Sequence, residues 1–126
     1  MEQESLDKLL IEALKCSLNY EHSKRFVSLL SEDGLYLAFC DLQANVNDNN
    51  NTKEKCTLII DRITDQETLK EMVINTPNYI LVGEALAKIT SYSKLKKIAE
   101  LRPDLETHIK GRLGFVSNAN RFILDD

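Results

Sequence analysis

The sequence predicts an all-α fold of stacked helical hairpins, an α-α superhelix. Three observations carry that expectation. Apolar residues recur at three- and four-residue spacing through most of the 126-residue chain. Only four glycines and two prolines interrupt it, too few for a turn-rich β architecture. And the pattern in the second half returns after about 26 residues, as the positions of Ile63 and Ile89 show.

The elements follow in order. Ser5 opens the first, with Leu6, Leu9, Leu10, Ala13 and Leu14 forming one stripe of an amphipathic helix and Asp7, Lys8, Glu12 and Lys15 lying off it. The pattern pauses at Ser17–Asn19 and resumes in a short helix with Phe26, Val27, Leu29 and Leu30. Ser31-Glu32-Asp33-Gly34 reads as a stop and a restart, since a serine hydroxyl caps a helix and acids suit its N-terminus. The third helix carries Leu35, Ala38, Phe39 and Leu42. Residues 45–52, Asn-Val-Asn-Asp-Asn-Asn-Asn-Thr, predict a loop, an internal insertion within a single domain spanning 1–126 and the natural place for a soft boundary.

Helical spacing returns with Cys56, Ile59, Ile60 and Ile63. Asp65 is a candidate N-cap for a helix carrying Leu69, Met72 and Val73. Thr76-Pro77, a capping hydroxyl followed by proline at the first helical position, predicts the start of the next helix, with Val82, Ala85, Leu86 and Ile89 on its stripe. Gly83 inside it implies the close approach of a neighbouring helix. Ser91 or Ser93 caps a helix carrying Leu95, Ile98 and Ala99, and Pro103 opens another with Leu105, Ile109 and Leu113, ended by Gly114. Ser117 caps a last short helix carrying Ala119, Phe122 and Ile123.

At an offset of 26, Ile63-Thr64 falls on Ile89-Thr90, Leu69-Lys70 on Leu95-Lys96, and Pro77 on Pro103. One helical hairpin cannot bury its own apolar face, whereas stacked neighbours bury a continuous core. The run Ile63-Thr64-Asp65-Gln66-Glu67-Thr68-Leu69-Lys70-Glu71-Met72 resembles the turn and second helix of short bacterial HEAT-like repeats, and Ile89–Ala99 is a looser copy without the Asp-Gln pair. The resemblance covers residues 53–126; the first 45 fit as generic helical hairpins. It implies a scaffold for binding other macromolecules and nothing more specific.

Composition narrows the chemistry. The first residues are acidic, no basic-then-apolar leader precedes them, and no apolar run nears the ~20 residues of a membrane span. Three cysteines, Cys16, Cys40 and Cys56, form no C-x-x-C pair and lie on or beside apolar stripes, so free core thiols in a reducing cytoplasm are expected. His22 and His108 have no metal-ligand spacing, no glycine-rich phosphate loop exists, and the carboxylates suit caps and solvated faces better than a paired acid and base. No cofactor, metal or catalytic residue is therefore expected; a deep pocket containing His22 or His108 beside a cysteine or carboxylate would reopen the question. The basic cluster Lys94, Lys96, Lys97, Lys110 and Arg112 is small and unaccompanied by aromatic interleaving, which disfavours nucleic acid.

The net charge of −4 is uneven: residues 1–48 hold nine acids against four bases, residues 49–126 eleven against twelve. An acidic half favours a basic protein surface. The sequence thus predicts a non-catalytic protein-protein binding module, in its sharpest form a small acidic inhibitor or immunity-type protein that occludes a basic partner through Glu2, Glu4, Asp7, Glu32, Asp33, Tyr36 and Asp41. The alternative is an adaptor or regulatory scaffold subunit that binds through an apolar groove.

Overall fold

The computed structural model describes residues 2–43 and 50–111, and every regular element among them is a helix. The chain divides into two compact units, Met1–Ile63 and Thr64–Asp126. The division falls between Ile63 and Thr64, not in the asparagine-rich stretch. Within that stretch residues 50–52 already belong to a helix, and Thr52 is buried. The expected final helix with Ala119, Phe122 and Ile123, with Gly114 and Ser117, lies outside the described residues.

The first unit holds α1 (Gln3–Cys16), α2 (Tyr20–Leu29), α3 (Glu32–Gln43) and α4 (Asn50–Arg62). Helix α1 packs on α2 and α3, and α4 packs on the same two, so the four enclose one core. Leu14, Val27, Leu35, Ala38, Phe39, Ile59 and Ile60 fill it. The buried stripe of α1 is rotated from the one the sequence suggested. Asp7, Leu10, Ile11 and Leu14 face inward, at i, i+3, i+4 and i+7, while Leu9 is 59% exposed. The reason is a polar anchor. Asp7 accepts from the backbone N–H of Ser31 at 3.1 Å and from its hydroxyl, and this fixes which face of α1 meets the start of α3. Ser31 Oγ also accepts from Gly34 N at 3.0 Å, the expected cap. Leu29, expected on the stripe of α2, is likewise outside, while Leu30 is buried.

Helix α4 closes the exposed carbonyl end of α1, whose last C=O groups have no partner within the helix. Lys55 Nζ donates to Lys15 O at 3.2 Å, and Asn51 Nδ2 donates to Ser17 O at 2.9 Å. Lys55 is buried, and desolvation of its ammonium pushes its pKa below the usual lysine value. Of the cysteines expected in the core only Cys56 is there; Cys16 and Cys40 are exposed.

The second unit holds α5 (Gln66–Asn75), α6 (Tyr79–Leu86), α7 (Tyr92–Leu101) and a 3-10 turn (Pro103–Leu105) that leads into helix over residues 106–111. Helix α5 packs on both α6 and α7, around Leu69, Met72, Leu81, Ile89, Leu95 and Ile98. Asp65 caps α5 through Thr68 N, and Ser91 caps α7 through Lys94 N. The cap of α6 is Asn78, whose side chain accepts from Ile80 N and Leu81 N, not Thr76. Thr76 is buried instead, and its carbonyl accepts from Arg102 at 2.6 Å. Gly83 does not mark a close approach: a Cβ there would meet nothing within 4 Å. Gly34 does, since a Cβ there would lie 2.5 Å from Cγ of Asp7.

Candidate functional site

Charge and shape single out the first unit. Its residues 1–63 contain eleven acids and seven bases, and residues 64–126 contain nine of each, so the whole net charge of −4 resides in the first unit. On that unit an open hollow of about 530 Å³ is lined by Gln3, Glu4 and Asp7 of α1, Ser31 of the connecting turn, and Asp33, Tyr36 and Leu37 of α3. Four of the seven residues singled out from sequence meet here: Glu4, Asp7, Asp33 and Tyr36.

Their environments differ. Asp7 forms the floor. It is 5% exposed, and its carboxylate accepts from Gln3 Nε2 at 2.9 Å as well as from both donors of Ser31. Burial alone would raise its pKa, but these three hydrogen bonds favour the ionised form and hold it below the usual carboxylate value. Asp7 therefore acts as a fixed internal charge, not as the mobile surface acid its place off the apolar stripe suggested. Glu4 and Asp33 are exposed at the rim, and neither forms an ion pair among the described residues. Tyr36 is half-buried, and Leu37 is 54% exposed.

The remaining three stand apart from the hollow's lining. Glu2 is exposed at the N-cap of α1, where its side chain makes no capping bond. Glu32 is exposed in the first turn of α3. Asp41, near the end of α3, lies 4.0 Å from Lys15 and so already has a cation beside it. Gln3, Ser31 and Leu37 are lining residues that sequence reasoning did not assign to a site. Leu37 carried a usable signal, since it is a large apolar residue off the stripe formed by Leu35, Ala38, Phe39 and Leu42.

The other candidates are weaker. Cys16 and His22 share a shallow hollow at the α1–α2 turn with Phe26 and Asn19, but no hydrogen bond joins the thiol to the imidazole among the described residues. A third hollow, lined by Tyr20, Lys53, Glu54, Thr57, Leu58 and Asp61, mixes both signs of charge. Of the basic cluster, Arg112 lies outside the described residues, and three of the four described lysines have an acid close by. Lys94 meets Glu67 at 3.0 Å, Lys97 meets Glu100 at 3.9 Å, Lys110 meets Glu106 at 2.9 Å, and Lys96 stands 5.3 Å above the Tyr92 ring. Among the described residues no group of histidine, cysteine and carboxylate side chains is arranged to hold a metal ion, and no helix is long and apolar enough to cross a membrane. No family model, curated protein or solved structure matches the chain.

Proposed function

We propose that the chain is a non-catalytic protein-binding module of HEAT-like helical hairpins, and that its first unit engages a basic protein and occludes it. The observation that carries this reading is the hollow between α1 and α3, where exposed Glu4 and Asp33 form no ion pair among the described residues and the carboxylate of Asp7 is buried between them. An uncompensated anionic concavity on the more acidic half of the chain steers cations toward it and raises encounter rates. An inhibitor or immunity-type role agrees with the negative net charge of the first unit.

Affinity capture from the source lysate, with washes at low and then high salt, tests the reading. The wild-type chain is expected to retain one basic protein in stoichiometric amount and release it as salt rises, and the Glu32→Lys, Asp33→Lys chain to retain much less. Equal retention by both, or partners that resist salt, would overturn it. A second reading, an adaptor that docks by apolar surface, is favoured by one observation: Tyr79 and Ile80, adjacent at the start of α6, are 56% and 54% exposed. It predicts the salt-resistant outcome.

A further inference from the structure

The two hairpins of the first unit are stacked, with α1 packed on α3 and α2 on α4. The pair α1–α2 therefore has one covered side and one side turned to solvent. The open side is apolar along its length. Leu9, Leu18 and Leu29 are 59%, 89% and 53% exposed, and Ala13 and Phe26 are half-buried in the shallow hollow between the two helices. Charge flanks this strip, with Glu12 exposed on α1 and Arg25 exposed on α2. The end of a stack of helical hairpins stays soluble by itself when its outer face is polar; an apolar face rimmed by charge marks a contact surface.

The order of residues on the two helices says what covers it. Residues 17–19 join α1 to α2, and the helices pack on each other, so they run in opposite directions. Counted from Leu18, Glu12 and Arg25 are six and seven residues away, and Leu9 and Leu29 nine and eleven. At about 1.5 Å per residue, the members of each pair stand at the same level to within about 3 Å. A two-fold axis parallel to the hairpin lays α1 of each copy antiparallel on α2 of the other. It brings Leu9 onto Leu29 of the second copy and Glu12 onto Arg25 of the second copy, each contact made twice. Arg25 forms no ion pair among the described residues, and Glu12 has Lys15 at 3.6 Å, an exposed pair of little worth. We infer that the outer face of α1–α2 binds a second copy of this chain, with its aliphatic strip buried and these opposite charges paired across the two-fold axis. Each residue turns a helix by about 100°, so Leu9 lies about 140° round α1 from Glu4 and about 160° from Asp7. Both α1–α3 hollows therefore stay open in the dimer, and the inference does not rest on the reading of that hollow.

Sedimentation equilibrium of the full chain, from about 1 μM to about 1 mM, reads the balance of monomer and dimer. Wild type is expected to form a dimer and no larger species, because a two-fold contact closes on itself. Leu9→Ser and Leu29→Ser, both at exposed positions, should each raise the dissociation constant by about ten- to a hundredfold, since each change acts on both halves of the interface. Glu12→Arg and Arg25→Glu should each weaken the dimer by about threefold or more, and the two changes together should restore it. That rescue reads the pairing directly and stands even if a leucine variant folds poorly. A wild-type chain that stays monomeric over the whole range would overturn the inference. So would a dimer insensitive to the leucine changes, or one that the charge exchange fails to rescue. None of these outcomes bears on the α1–α3 hollow, which is tested by capture of a basic protein.

Discussion

A methyl group on Gly34 would lie 2.5 Å from Cγ and 2.7 and 2.8 Å from the carboxylate oxygens of Asp7, closer than any real Cβ contact. The carboxylate cannot swing aside without releasing Ser31, so Gly34→Ala should force α1 and α3 apart locally. The expected cost is about 1–3 kcal/mol even after the better helix propensity of alanine is counted. Gly83→Ala is the matching control: with open space around it, the same change should stabilise by about 0.5–1 kcal/mol. Urea unfolding of the two variants checks the contrast; equal shifts would mean that the Asp7 contact is unimportant. Asp7 itself makes a pH prediction. Its folded pKa lies below the unfolded value, so its ionised form adds stability above the ordinary carboxylate pKa of 3.8, and that stability is lost as pH falls through the folded value. The stability gap between wild type and Asp7→Asn should therefore be widest near neutrality and close under acid. Asp65, Glu67, Asp104 and Glu106 titrate in both chains and cancel in the difference. A gap that stays constant from pH 7 to about pH 2.5 would contradict the assignment.

Helix identity and most caps were legible because they are local. Ser31, Asp65 and Ser91 each bond an amide three residues ahead, a signal contained in four consecutive letters. Two features were not legible because their cause lies far along the chain. The face of α1 is set by a bond between residues 24 apart, which turns Asp7 and Ile11 inward and Leu9 outward. Gln66 opens α5 but clasps the turn before α7: its Oε1 accepts from Thr90 N at 2.7 Å and Ser91 N at 3.2 Å, and its Nε2 donates to Lys88 O at 3.1 Å. In Thr76-Pro77-Asn78 two cap formers stand two residues apart; asparagine takes the cap, while Thr76 is buried and Arg102 holds the carbonyls of Val73 and Thr76. Gln66→Ala should leave α5 helical, since Asp65 caps it, yet loosen the 88–91 turn at a cost of about 1–2 kcal/mol. Hydrogen exchange is the direct check. The amides of Thr90 and Ser91 should exchange faster and those of Leu69 to Val73 should not; uniform acceleration would mean that the clasp holds the whole unit.

At the scale of the molecule, the excess of acids near the N-terminus was visible in composition, whereas the hollow was not, because it exists only once α3 lies against α1. The two halves of the chain now allow charge and its location to be separated. Glu32→Lys with Asp33→Lys removes two negative charges and adds two positive ones, which brings the first unit to neutrality, and the chain with it. Glu100→Lys with Glu106→Lys gives the chain the same net charge through exposed acids of the second unit. Long-range steering depends on the local field near the docking surface and is screened over about 10 Å at 0.1 M salt. The first double variant should therefore slow association with a basic partner by about three- to tenfold at low ionic strength, and the second much less. The difference should shrink toward nothing near 1 M salt, where screening acts over about 3 Å. Dissociation rates should change less than association rates, because Glu32 lies outside the hollow's lining and Asp33 sits at its rim. Stopped-flow association over a salt series distinguishes the cases. If both variants slow association equally, overall charge governs capture and the first unit has no special part in it; if neither does, the partner is not held by charge, and the exposed apolar residues of α6 become the place to look.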